Sequence, residues 1–332
     1  MTEIDYSQFS SARPKHRRDL SLLSDRIFLM DGGMETTFIF HDGIELPYFA
    51  SIDLMRRESG RETLSAYYTR FLDLARERGA GFVMDAPTWR ASPDWAVKLG
   101  LTQDEMSGLN RASIGLMLRL RDRFEAPATP VILAGVVGPR GDGYQPGATM
   151  SAAEAARYHA TQIETFADTA ADMVSAYTIN YVEEAVGIAL AAKAAGIPAT
   201  ISFTLETDGK LPTGQSLRAA IEQVDAQTDA APLYYMINCA HPTHFAGIIA
   251  EGGDWLDRIQ GLRANASRRS HAELDASPDL DAGDPAELGR QYRALRTHMR
   301  RLNILGGCCG TDYRHVDQIS LACLPAGAAG GA

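Results

Sequence analysis

Leu302-Asn303-Ile304-Leu305-Gly306-Gly307-Cys308-Cys309-Gly310 closes the pattern that decides the fold of this chain. The apolar run Leu302–Gly306 stops at glycine and is followed at once by two adjacent cysteines. Working back along the chain, similar short runs occur at Ile27–Asp31, Gly81–Asp85, Val131–Gly135, Met173–Ala176, Ala199–Phe203, Tyr234–Asn238 and Arg258–Ala264. A loop and an amphipathic helical pattern separate each run from the next. Continuous apolar runs alternating with helices predict parallel strands covered on both faces. Eight such units within 332 residues predict a single α/β domain, a (β/α)8 TIM barrel.

Helix boundaries are legible in the same way. Thr102 with Glu105, and Ser151 with Glu154, have capping-box spacing, and Asn180 is placed to cap a helix that carries Glu183. Gly79 and Gly196 fit left-handed helix ends. The expected organisation is an N-terminal arm over residues 1–24, the barrel over 25–325, and a small-residue disordered tail over 326–332. The polar stretch Asp254–Asp284 is expected to form a long loop at the barrel mouth after the seventh strand.

Composition narrows the function. Hydrophobic residues make up 45% and charged residues 22%, enough for a sizeable core. A net charge of −10 excludes a nucleic-acid partner, which needs concentrated cationic surface. The short basic cluster Lys15-His16-Arg17-Arg18 reads as a solvated tail. Residues 1–25 contain no apolar signal core, and no apolar run approaches the ~18–20 residues that span a bilayer. The expected location is therefore the cytoplasm, with no membrane partner.

Four cysteines do not make a disulfide scaffold. Cys323 lies in the last helical pattern and reads as packing. The other three share a property that random core cysteines would not: Cys239 follows the sixth run, and Cys308 and Cys309 follow the eighth. In a (β/α)8 barrel the chemistry sits at the C-terminal strand ends, so the three sulfurs are expected to converge on one face. Three thiolates leave one corner of a tetrahedral zinc ion open, as in a catalytic rather than a structural site. Glycines on both sides of Cys308-Cys309 permit the bend that lets neighbours share one ion. Other residues collect at the same mouth: Asp31, Gly32 and Gly33 after the first run, Thr88 and Trp89 after the second, and Gly138-Pro139 after the third. Tyr177-Thr178, Thr204, Asn238 and Asn265 follow at the ends of later runs.

These pieces stand in the order of a known family. Met30-Asp31-Gly32-Gly33-Met34-Glu35-Thr36, Thr88-Trp89-Arg90-Ala91-Ser92, Ser202-Phe203-Thr204, Ile237-Asn238-Cys239, Ala264-Asn265-Ala266 and Gly306-Gly307-Cys308-Cys309-Gly310-Thr311 resemble motifs of the homocysteine S-methyltransferases over roughly residues 25–322. That family is built on (β/α)8 barrels that use zinc to move a methyl group onto homocysteine sulfur. The resemblance implies Zn2+ held by Cys239, Cys308 and Cys309. It also implies substrate contacts by Asp31, Gly32, Gly33, Thr88, Tyr177, Asn238 and Asn265. The partners it implies are two small molecules, a thiol acceptor and a cationic methyl donor of the S-methylmethionine, S-adenosylmethionine or betaine type, with methionine as product. Chemistry agrees with it: the thiolate is the nucleophile, and zinc deprotonates a coordinated thiol.

The match breaks at one place. Where the family usually carries Glu-Thr at the end of the fourth strand, and uses that Glu for the ammonium of homocysteine, this chain reads Tyr177-Thr178. Asp31, Glu35 or Asp85 must then supply the carboxylate, with Asp31 best placed, or the acceptor is a different thiol. Cationic donors favour aromatic surroundings, which makes Trp89 and Tyr144 the candidate donor pocket, with Trp95, Phe38 and Tyr48 in nearby loops. His241-Pro242 is expected to open a helix, Glu183-Glu184 to form a solvated first turn, and His315 to sit on the exposed face of the last helix. A non-catalytic reading, a binding protein stapled by zinc, requires a fourth protein ligand that the sequence does not offer.

Overall fold

The structure is a computed structural model and describes residues 13–324. Eight parallel strands close into a barrel in sequence order: β1 (Phe28–Leu29), β2 (Gly81–Asp85), β3 (Val131–Val137), β4 (Met173–Ile179), β5 (Ala199–Thr204), β6 (Tyr235–Asn238), β7 (Ile259–Ala264) and β8 (Ile304–Gly307). β8 returns to β1 with Phe28 opposite Ile304. Each strand leads to a helix on the outside: α1 (Glu58–Arg78), α2 (Gln103–Phe124), α3 (Ala152–Ala167), α4 (Val182–Ala195), α5 (Leu217–Thr228), α6 (Pro242–Ala250), α7 (Pro285–Leu295) and α8 (Tyr313–Cys323). Their starts follow the local chemistry. Thr102 and Ser151 complete capping boxes on α2 and α3, each worth about 1 kcal/mol. Gly79 and Gly196 end α1 and α4 at φ 63° and 66°. His241 caps α6 with Pro242 at its first position.

Alternation along the strands divides the apolar residues into two cores. One face packs against the helices; the other fills the barrel with Phe28, Met30, Val83, Ile132, Ala134, Met173, Met236 and Ile304. Leu20 and Leu23 of the N-terminal arm join the inner core and so plug the bottom of the barrel. The basic cluster of that arm is not solvated. Arg17 donates to the carbonyl oxygens of Phe166, Ala167, Thr169 and Ala171, and His16 and Lys15 engage Glu125. These carbonyls close α3, where helical partners run out, so a guanidinium fork satisfies them.

Other expectations shift where tertiary contact outweighs local pattern. Tyr181, not Asn180, stands at the start of α4; the Asn180 amide instead donates to the carbonyls of Asp142 and Gly143 in the loop after β3. Glu183 is exposed as expected, but Glu184 is buried, accepting from the Arg140 backbone and meeting His159 at 2.9 Å. His315 is also buried, held between Asp312 and the Ala282 carbonyl. Of the stretch Asp254–Asp284, the first five residues form a turn of helix before β7, and only the part after Ala264 lies beyond that strand, with a short helix at His271–Asp275. The expected tail over 326–332 lies outside the described residues. Among those described, no helix is long and apolar enough to cross a membrane.

Candidate active site

β6 and β8 bring Cys239, Cys308 and Cys309 together, with sulfur atoms within 4.8 Å of one another. Cys239 and Cys308 are paired as a disulfide with Cα atoms 5.5 Å apart, and Cys309 is a free thiol. The surrounding backbone is over-determined. Cys239 and Thr178 both adopt left-handed conformations, φ 53° and 60°, which residues with a side chain hold only when their neighbours impose them. Asn238 is the neighbour that does so. Its amide donates to Thr178 Oγ1 and its oxygen accepts from Thr178 N, both at 2.9 Å, and from Ser202 Oγ at 2.7 Å. From behind, Asn265 donates to the Cys239 carbonyl at 3.1 Å.

Glycines hold the other side of the cluster. A Cβ on Gly33 would sit 2.5 Å from the Cys308 carbonyl oxygen, so the end of β1 approaches the cysteine turn as only glycine can. Gly310 turns the chain at φ 78° and donates to Thr36 Oγ1. Three soft sulfurs with no fourth protein ligand among the described residues make a donor set suited to zinc with one position open. Two hydroxyls reach the sulfurs, Tyr144 at 3.9 Å from Cys309 Sγ and Thr178 at 4.0 Å from Cys239 Sγ. Burial pushes the Cys309 thiol up to about 11. Without a metal it would stay protonated at neutral pH.

The sulfurs line a cavity of about 390 Å³ that also takes in Asp31, Glu35, Asp85, Trp89, Arg90, Tyr144, Tyr177, Asn238, Arg263 and His271. Seven carboxylates and only two arginines line it, so its charge suits cationic ligands. A larger groove of about 1020 Å³ at the opposite end of the barrel is lined by Arg13, Arg17, Arg18 and Lys193 and contains neither cysteine nor histidine.

Of the residues expected at the site, Asp31, Tyr177, Asn238, Trp89 and Tyr144 line this cavity with the cysteines. Gly32, Gly33, Thr88 and Asn265 stand behind it as frame: Thr88 Oγ1 donates to the Val136 carbonyl, and the Gly32 carbonyl accepts from Tyr67 and Arg263. Tyr144 stacks on His271, ring centroids 3.9 Å apart. Phe38 is core, Tyr48 is exposed, and Trp95 packs beneath Arg90.

Arg263 and His271 were both missed in the sequence, and Arg263 is the one that organises the carboxylates. Arg263 on β7 points its Nη1 at Asp31, 2.6 Å, and Asp85, 2.9 Å, while Tyr177 donates to Asp85 Oδ2 at 2.8 Å. The remaining oxygen, Asp85 Oδ1, is buried without a hydrogen-bond partner. Burial raises Asp85 to about 7, opposed by Arg263 and aided by Asp31. Burial likewise raises Glu35, opposed by its hydrogen bond from Ser51. The available signal for Arg263 was positional: with Gly261 it takes the inward register of β7, level with the carboxylates that end β1 and β2.

Comparison with known proteins matches this architecture. The family model for homocysteine S-methyltransferase covers residues 28–323. Homocysteine S-methyltransferase 1 of Arabidopsis thaliana is 23% identical, over 88% of this chain and 92% of its own. Its namesake in Brassica oleracea is 22% identical over the same shares. Among solved structures, the metallated form of the homocysteine methyltransferase MmuM from Escherichia coli superposes with a TM-score of 0.69 at 19% identity, covering 91% of this chain and 98% of that one. The oxidised form of the same protein gives 0.72 at 20% identity, covering 92% and 99%.

Proposed function

This chain belongs to the homocysteine S-methyltransferase family, and from that premise we propose that it transfers a methyl group from a cationic donor to homocysteine, giving methionine, at a zinc ion on Cys239, Cys308 and Cys309. Methyl transfer to a thiol is the activity of the family. The observation that carries the finer reading is the convergence of three sulfurs in an acid-rich cavity. Zinc bound there supplies thiolate chemistry, since a coordinated thiol loses its proton. Only the reduced cysteines can bind it, so the Cys239–Cys308 pair must be open in the active enzyme.

The protein's own residues supply position. Asn238 fixes the bend at Cys239 and Thr178, and the strand ends hold the sulfurs still, which favours the in-line approach that methyl transfer requires. Asp31 and Asp85 take over the ammonium recognition that a strand-four carboxylate performs in relatives. With Asp85 ionised, the pair carries two negative charges against the single charge of Arg263, so a bound ammonium would leave the group neutral. Trp89 and Tyr144 offer aromatic faces to a cationic donor. The acid-rich lining favours an onium donor over a neutral one.

The test is an anaerobic assay of reduced, zinc-loaded protein. Homocysteine is supplied with S-methylmethionine, S-adenosylmethionine or betaine, methionine is read by mass spectrometry, and metal is counted in parallel. About one zinc per chain and methionine from at least one donor are expected. Zinc-loaded protein that makes no methionine from any of them would overturn this pairing of homocysteine with these donors.

A further inference from the structure

The two arginines of the cavity are in opposite states. Arg263 is consumed by Asp31, Asp85 and the Gly32 carbonyl. Arg90, in the loop after β2, pairs with no carboxylate among the described residues. Its Nη1 donates to the Tyr48 carbonyl, and its Nε–H is buried without an acceptor. The guanidinium lies over two indoles, 4.8 Å from the Trp89 ring centre and 4.4 Å from that of Trp95. Trp95 is buried and Lys98 lies 3.9 Å over its ring, so the group is braced by packing rather than by opposite charge.

Such a guanidinium is not at rest. It stays charged when half-buried, and its rigid fork matches a carboxylate in two-point geometry. Aromatic faces hold the plane and leave its edges for hydrogen bonds. Asp142, Glu35 and Asp275 influence it from a distance without pairing. With Arg263 engaged, Arg90 is the arginine of this lining that an incoming anion can use. Bare anions would be repelled by the seven acidic residues around it; a molecule that carries both an onium or ammonium group and a carboxylate would meet both signs.

We propose that Arg90 binds the carboxylate of a small zwitterionic substrate at the rim of the cavity, so that the enzyme selects onium or amino acids over bare cations. This rests on the cavity being the place where acceptor and donor bind. Both substrates of the proposed reaction can bring a carboxylate, and three matched pairs of probes separate the sources. Homocysteine is compared with 3-aminopropane-1-thiol, betaine with tetramethylammonium, and S-methylmethionine with trimethylsulfonium.

Calorimetric titration of each probe into reduced, zinc-loaded wild-type protein and into Arg90→Gln and Arg90→Lys decides the matter without turnover. Wild type should prefer the carboxylate-bearing member of at least one pair. Arg90→Gln should weaken that member roughly 10- to 100-fold, the range for losing a hydrogen bond to a charged group, and leave its partner unchanged. Arg90→Lys should retain part of the preference, because charge survives and the fork does not. The pair that responds names the source as acceptor or donor. Equal weakening of both members, or no preference in wild type, overturns the role of Arg90 while leaving the methyltransferase reading intact. A wild type that binds none of the six overturns that reading and this inference together.

Discussion

The cysteine corner and the carboxylate wall belong to one cavity, yet they differ in what holds them. At the cysteine corner each sulfur sits at a strand end, and backbone geometry positions it: left-handed Cys239, the Asn238 bridge, and Gly33 against the Cys308 carbonyl. At the wall, Asp31, Arg263, Asp85 and Tyr177 hold one another through side chains drawn from β2, β4, β7 and the segment that follows β1. The first arrangement is written in short contiguous stretches of sequence, Asn238-Cys239 and Gly306–Gly310. The second exists only after folding, because its members are far apart in the chain. On the proposed function, the cysteine corner would carry the metal chemistry and the wall the substrate recognition.

If the two corners divide the labour this way, their variants should fail differently. Cys308→Ala should show the largest effect, losing most of the bound metal and with it methyl transfer, while the barrel still folds. Metal analysis and far-ultraviolet circular dichroism on the same preparation check this. Full metal retention would mean that the cluster is not the binding site.

Asp85→Asn should leave metal in place and weaken homocysteine by about 1.5–3 kcal/mol, the scale of a charged hydrogen bond, while 3-mercaptopropionate, which has no amine, is unaffected. The pH dependence has a definite sign. Asp85 is raised to about 7, chiefly by burial, with Arg263, Asp31, Tyr177 and Ser175 as its charged and hydrogen-bonding neighbours. A raised carboxylate pKa means that the folded protein holds the proton more tightly than the unfolded chain. Ionisation of Asp85 therefore costs stability as pH rises through about 7, and the cost is relieved below it. Ammonium binding runs the other way, because it needs the carboxylate, so homocysteine affinity should fall as pH drops below about 7. Proton release by the thiol gives every acceptor some fall, so the fall in excess of that shown by 3-mercaptopropionate is the part that should vanish in Asp85→Asn. Equal loss for both thiols would place the ammonium elsewhere.

What the sequence disclosed follows the same division. Strand positions, capping boxes at Thr102 and Ser151, helix-ending glycines and all three cysteines are local signals, and local signals were readable. Glu184 and His315 looked like surface residues because their partners, His159 and the Ala282 carbonyl, lie 25 and 33 positions away. Arg17 looked like a solvated tail because the carbonyls it caps are at the far end of α3. Arg263 was hidden for a further reason. In Ile259-Gln260-Gly261-Leu262-Arg263-Ala264 an arginine interrupts an apolar run, and only knowledge of which face lines the barrel turns that interruption into a site.

The smallest effect should come from Tyr177→Phe, and it separates two roles for this hydroxyl. One role is a transient ligand for the metal in place of acceptor sulfur. The other is the role its geometry favours, a donor to Asp85 Oδ2 at 2.8 Å with Met236 Sδ at 3.8 Å on its other side. Burial holds the phenol well above its ordinary pKa, so it donates as a neutral group. Removing it should cost about 0.5–1.5 kcal/mol in homocysteine affinity, the net worth of one such bond. The sign of the accompanying pH shift is fixed, because this hydrogen bond lowers the pKa of Asp85. Without it the carboxylate protonates at higher pH, and the fall in homocysteine affinity should begin at higher pH than in wild type. A shift in the opposite direction would remove Tyr177 from the wall. Unchanged affinity together with an altered spectrum of cobalt-substituted protein would move it to the cysteine corner instead.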